Sequence, residues 1–162
     1  MNRYVPSVEQ FRIVLIRKVD RTIQACGDGD RETALELVEK EIQNRIETGE
    51  LHDRNFAINW VEYLQQKGKS LQQIRSTLYQ KGISKAIIQD AITGKEDVSF
   101  EVALIYAKKR GFGPFRRTVS DRLRKQKDIA AMLRAGHPFD VVQQILSCSD
   151  FEALERLKEE RE

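Results

Sequence analysis

A dozen residues are written nearly twice in this chain: "SVEQFRIVLIRK", Ser7 to Lys18, returns as "SLQQIRSTLYQK", Ser70 to Lys81. Each copy opens with the S-x-x-Q form of a capping box, Ser7 with Gln10 and Ser70 with Gln73. There the serine hydroxyl accepts from the backbone N–H three residues on and the glutamine reaches back to the cap, so each copy predicts a helix start. Val8, Phe11 and Leu15 match Leu71, Ile74 and Leu78, a spacing of three then four that sets each trio on one helical face. Arg12 and Arg75, one residue past the middle of each trio, read as a solvated face. A recurring helix with one apolar stripe calls for stacked helical modules, because each unit must bury its stripe against the next.

Glycine and proline punctuate the remainder. The nine glycines fall where periodic segments run out, as C-terminal caps do. Pro6, Pro114 and Pro138 stand just before or just inside helix starts, where a missing N–H costs little. The segments between them predict helices over 7–25, 31–48, 53–67, 70–81, 84–93, 99–110, 115–135, 138–147 and 150–160. A break is expected near Gln126, because the stripe through Val119 and Leu123 does not run cleanly into Ile129 and Leu133. "AIIQDAI" has strand character, but Ser84 as a cap just after Gly82 favours helix. Aligning Gly82 with Gly136 lays Ile87, Ile88 and Ala91 over Val141, Val142 and Ile145, so the helix–glycine–helix unit itself recurs.

The fold class is therefore all-α, with tandem three-helix repeats forming an elongated, curved helical array. The expected division is a first repeat over 1–48 that holds only its second and third helices, a second over 49–97, a third over 98–148, and a charged C-terminal helix over 149–162. At 162 residues and 40% hydrophobic composition the chain has the means to fold without staples. Cys26 and Cys148 lie far apart with no CxxC and no histidine pair, which argues against a disulfide framework or a zinc site and points to a reducing cytoplasm. No apolar run approaches the ~18 residues of a membrane span.

Catalytic signals are poor. "GKS" at Gly68–Ser70 lacks the glycine that a phosphate loop requires five residues earlier, where Tyr63 stands. "GDGD" at Gly27–Asp30 opens like a calcium loop, but the later oxygen ligands are not at the required spacings. His52 and His137 have no partners at metal-ligand spacing, and His52 beside Asp53 reads as a helix cap. Neither an enzyme nor a cofactor is expected.

Charge is informative. The net charge is only +3, yet Ile105 to Ala135 holds ten basic residues against two acidic, while the first fifty residues hold eight against ten. The second module adds Lys67, Lys69, Arg75, Lys81 and Lys85. Such density is the footprint of a polyanion or of an acidic protein surface. The interleaved Tyr106, Phe112 and Phe115 offer either base-stacking faces or packing at a helix junction.

"GELHDRNFAINWVEYLQQKGKSLQQIRSTLYQKGIS", Gly49 to Ser84, resembles the signature of the RecX regulatory proteins: a Gly-x-Leu-x-Asp segment, a helix, Gly-Lys-Ser, and a helix closing with Lys-Gly-Ile. "AKKRGFGPFR", Ala107 to Arg116, resembles the start of that family's third repeat, and "KDIAAMLRAGHPFDVVQQIL", Lys127 to Leu146, its end. The resemblance covers about residues 7–147. It implies tandem three-helix repeats and a monomeric regulator that binds the RecA filament and restrains its strand exchange, ATPase and coprotease activities, with single- or double-stranded DNA as a further partner. The family usually has a helix ahead of the one at Ser7, where only six residues stand here, so the first repeat is expected to be incomplete. Combined with the charge map, the expected contacting set is Lys81, Lys85, Lys108, Lys109, Arg110, Arg116, Arg117, Arg122, Arg124 and Lys125. The rival readings are a nucleic-acid binder that acts without RecA and a general helical-repeat adaptor.

Overall fold

The computed structural model describes residues 5–27, 29–95, 98–116 and 122–160, which are helical with short connectors and no strand. The helices are α1 (Val8–Cys26), α2 (Arg31–Glu47), α3 (Asp53–Gln66), α4 (Leu71–Gln80), α5 (Lys85–Ile92), α6 (Ser99–Arg110), α7 (Arg122–Arg134), α8 (Phe139–Ser147) and α9 (Phe151–Glu159). Eight match the sequence expectation closely, because serine, aspartate and glycine caps set their ends locally. Ser7 forms the full capping box, and Asn55 and Ile87 donate backbone N–H groups to His52 Nδ1 and Ser84 Oγ, both at 3.4 Å.

The expected helix over 115–135 is corrected. A 3-10 turn occupies Gly113–Phe115, and α7 begins at Arg122 and continues through Gln126 without a break. The stripe argument failed because Leu123 is 68% exposed and belongs to no stripe, while Asp128 and Met132 carry the buried face. Val119 lies outside the described residues.

The chain divides into two compact units, one of Met1–Trp60 with Thr77–Ala91, the other of Val61–Ser76 with Ile92–Glu162. In the first unit α1 pairs with α2, although no residue of α1 is fully buried. Amphipathic side chains cover the seam instead. Arg12 bonds Glu9 at 2.6 Å and Glu39 at 2.7 Å, so it clamps α1 to α2 where a merely solvated face was expected. The Arg45 guanidinium lies 5.1 Å above the Phe11 ring. Val38 and Ile42 of α2, Phe56 and Ala57 of α3, Leu78 of α4, and Ile83, Ile88 and Ala91 are buried in this unit.

The core of the second unit gathers Phe100, Ala103 and Ala107 of α6, Met132 of α7, the buried face of α8 (Val141, Val142, Ile145 and Leu146) and Leu154 of α9. The C-terminal helix is thus held by a fully buried leucine, and Phe151 meets the Phe115 ring edge-on at 6.4 Å.

The repeated dozen residues now have a physical reason. Ser7 is wholly buried, accepts from Gln10 N–H at 3.2 Å and donates its hydroxyl to the Lys81 carbonyl at 2.7 Å. Ser70, 3% exposed, accepts from Gln73 N–H at 3.3 Å and donates to the Ala135 carbonyl at 2.5 Å. Each carbonyl precedes a glycine, Gly82 or Gly136, with φ of 81° or 82°. A Cβ on Gly82 would collide with the Glu9 side chain, and one on Gly136 would lie 2.5 Å from Gln72 Oε1. In both units a helix start rests on the glycine-capped end of a later helix, and only a residue that both donates and accepts can make the joint. Ser7→Ala and Ser70→Ala are each expected to lower stability by about 1–2 kcal/mol, from the lost cap and the stranded carbonyl. Urea unfolding checks this, with Ser70→Ala the larger loss because its bond to the Ala135 carbonyl is buried, whereas that of Ser7 to the Lys81 carbonyl is partly buried.

Candidate functional site

The basic residues sort by what each helix does with them. Lys108, Lys109 and Arg110 are exposed in the last turn of α6, where cations complement the helix dipole and the exposed carbonyls. Lys109 Nζ donates to the Lys67 carbonyl at 2.9 Å, joining the end of α6 to the end of α3, and the Arg110 guanidinium lies 5.8 Å over the Tyr106 ring. The sequence reading counted Lys67 among the basic residues of the second module but left it and Tyr63 out of the contacting set: the Lys67 ammonium lies 5.4 Å from the Tyr63 ring, and Tyr63 is 47% exposed. Their helical spacing was the available signal.

Lys81 and Lys85 belong to the first unit. The Lys81 ammonium sits 4.6 Å over the Trp60 ring, and Lys85 is exposed at the first position of α5. Arg116 is held inside the second unit: its Nη2 donates to both oxygens of Asp128 at 2.6 Å, with the Asp128 side chain only 7% exposed. It follows the turn at Gly113–Phe115 and pins that turn to α7. Arg117 lies outside the described residues.

Arg122, Arg124 and Lys125 are exposed in the opening turns of α7, together with Lys127 and the bare Leu123. No acidic residue occupies that first turn. Cations at a helix N-terminus oppose the macrodipole, each at a cost of about 0.3–1 kcal/mol, so folding alone does not account for them. A run of exposed cations placed against the dipole of its own helix is a surface suited to an anionic partner.

The aromatics take packing roles. Tyr106 lies against Phe112 and His137, at centroid separations of 6.2 and 4.9 Å, and Phe115 lies against Phe151. Among the described residues no cluster of His, Cys, Asp and Glu is disposed to hold a metal, and no helix is long and apolar enough to cross a membrane. Burial raises the Cys148 thiol above its ordinary range, which makes it a poor nucleophile.

With this geometry in place, the comparisons with known proteins agree on one family. The family described as RecX, second three-helix domain, matches residues 53–92, the stretch that holds α3, α4 and α5. The chain is 32% identical over 149 residues to a protein of Myxococcus xanthus (strain DK1622) named regulatory protein RecX, covering 90% of this chain and 79% of that one. A second regulatory protein RecX, from Agrobacterium fabrum (strain C58), is 32% identical over 103 residues, covering 64% of this chain and 55% of its own length. No solved structure matches.

Proposed function

The chain belongs to the RecX family of regulatory proteins, and from that premise we propose that it binds the RecA filament and restrains its ATPase, strand exchange and coprotease activities. The observation that carries this reading is the exposed cationic start of α7, whose charges work against their own helix and suit an acidic or phosphate-bearing polymer. Arg122, Arg124 and Lys125 are the principal contacts. Lys108, Lys109 and Arg110 extend them, Lys81 and Lys85 serve from the first unit, and Arg117 lies in the segment between. Arg116 acts one step removed, by holding α7 against the turn before it.

Regulation by binding needs no chemistry. A bound protein that bridges neighbouring protomers lowers the free energy of one filament conformation and thereby slows the turnover that requires another. The test is the single-stranded-DNA-dependent ATPase of the cognate RecA, titrated with this protein at physiological salt. Strong inhibition well below one protein per RecA is the expected result. Loss of ATPase only in step with RecA displacement from bare DNA would favour the RecA-independent nucleic-acid binder, with an affinity that falls steeply with salt. No effect at stoichiometric excess overturns the proposal.

A further inference from the structure

A recess of about 60 Å³ lies inside the second unit, apart from the cations of α7. Three helix starts meet there: Ser70 and Leu71 open α4, Ser99 opens α6, and Pro138 stands immediately before α8. Each is a full helix of nine residues or more, with its positive dipole end at the recess. Ser70 caps α4, while Val98 and Pro138, which precede α6 and α8, offer no side-chain cap of their own. N-terminal N–H groups at such starts call for an acceptor from outside the helix.

The lining supplies further donors. Among the described residues of the lining the charged ones are Lys69 and Lys95, both cationic. Glu101 and Asp140, in the first turns of α6 and α8, are exposed and are not part of the lining. His137 lines the recess at 4% exposure, and its Nε2 has no hydrogen-bond partner. The buried Nε2 of Gln65, also in the lining, has none either. Burial pushes the His137 imidazole down to about 4, so the ring is neutral at pH 7 and has one N–H to give. Buried polar atoms without partners are uncommon in native proteins, and two of them in one cationic recess call for a ligand.

We infer that this recess is a binding site for a single phosphate group. The donors greatly outnumber acceptors and approach from three helix ends, as a tetrahedral oxyanion uses and a planar carboxylate does not. The volume admits one such group and little more. The neutral histidine contributes direction without charge, while Lys69 and Lys95 balance the dianion.

The experiment is titration of the full chain with inorganic phosphate at fixed ionic strength, followed by calorimetry and by the His137 ring resonances. Saturable binding with Kd of about 1 mM or tighter is expected, with a rise in melting temperature that follows occupancy. The His137 signals should shift with the same constant. Lys69→Met combined with Lys95→Met should weaken binding at least tenfold in a protein with an unchanged circular dichroism spectrum, and acetate should bind at least tenfold more weakly than phosphate. A response no larger than that to chloride, unshifted His137 resonances or unchanged affinity in the double variant would overturn the site. Equal affinity for acetate would overturn its assignment to phosphate. None of these readouts involves RecA, so the outcome is independent of the filament reading.

Discussion

Reversing Arg122, Arg124 and Lys125 to glutamate is expected to weaken inhibition of the RecA ATPase at least tenfold while making the protein more stable. The two effects share one cause. In the opening turns of α7 each cation opposes the helix dipole, and each glutamate would complement it, so the triple variant should gain about 1 kcal/mol and melt roughly 2–4 °C higher. A surface whose removal improves the fold is maintained for a partner. The salt dependence of filament binding should flatten in parallel, because fewer counterions are released. The contrasting set is Lys108, Lys109 and Arg110, whose charges favour the end of α6 and whose Lys109 bonds the Lys67 carbonyl. Glutamates there should lower stability as well as binding, so they cannot separate the two effects. Full inhibition by the α7 variant, measured as ATPase against protein concentration, would remove α7 from the interface.

Local signals account for what the sequence reveals and for what it hides. Ser7, Ser70 and Ser84 announce helix starts because a cap is made within three residues, and glycines announce helix ends because positive φ is a one-residue property. The start of α7 is harder to read: its first turn is basic, lacks an acidic residue and contains an exposed leucine that imitates a core position. The docking of Ser7 on Lys81 and of Ser70 on Ala135 is visible in the repeat only as recurrence, since the partners lie in distant segments. Asp128 looked like a minor acid in a basic run, yet it anchors Arg116 from twelve residues away. The phosphate recess was beyond reach for the same reason, its lining coming from the separate stretches around Lys69, Ser99 and His137. The charge map pointed to an anionic partner, while RecA itself entered through resemblance to the RecX signature.

Asp128→Ala is expected to be the most damaging single change, lowering stability by about 3 kcal/mol and the melting temperature by roughly 6–12 °C. Removing the carboxylate leaves the Arg116 guanidinium without its ion partner, in a place where Arg116 is only 22% exposed and its Nε already has no partner. That residual exposure places the loss at the lower end of the range for broken buried pairs. The pair itself is not the source of comparable stabilisation, because desolvating both ions offsets most of their attraction. Replacing both, as Arg116→Met with Asp128→Leu, should therefore recover most of the stability, a result that chemical unfolding can read directly. Filament inhibition by that double variant then decides what Arg116 does. If the arginine acts only by pinning the turn at Gly113–Phe115 to α7, apolar packing can hold the same geometry and inhibition returns with stability. A stable double variant that still fails to inhibit would place the Arg116 guanidinium on the filament, with Asp128 serving to hold it in reserve.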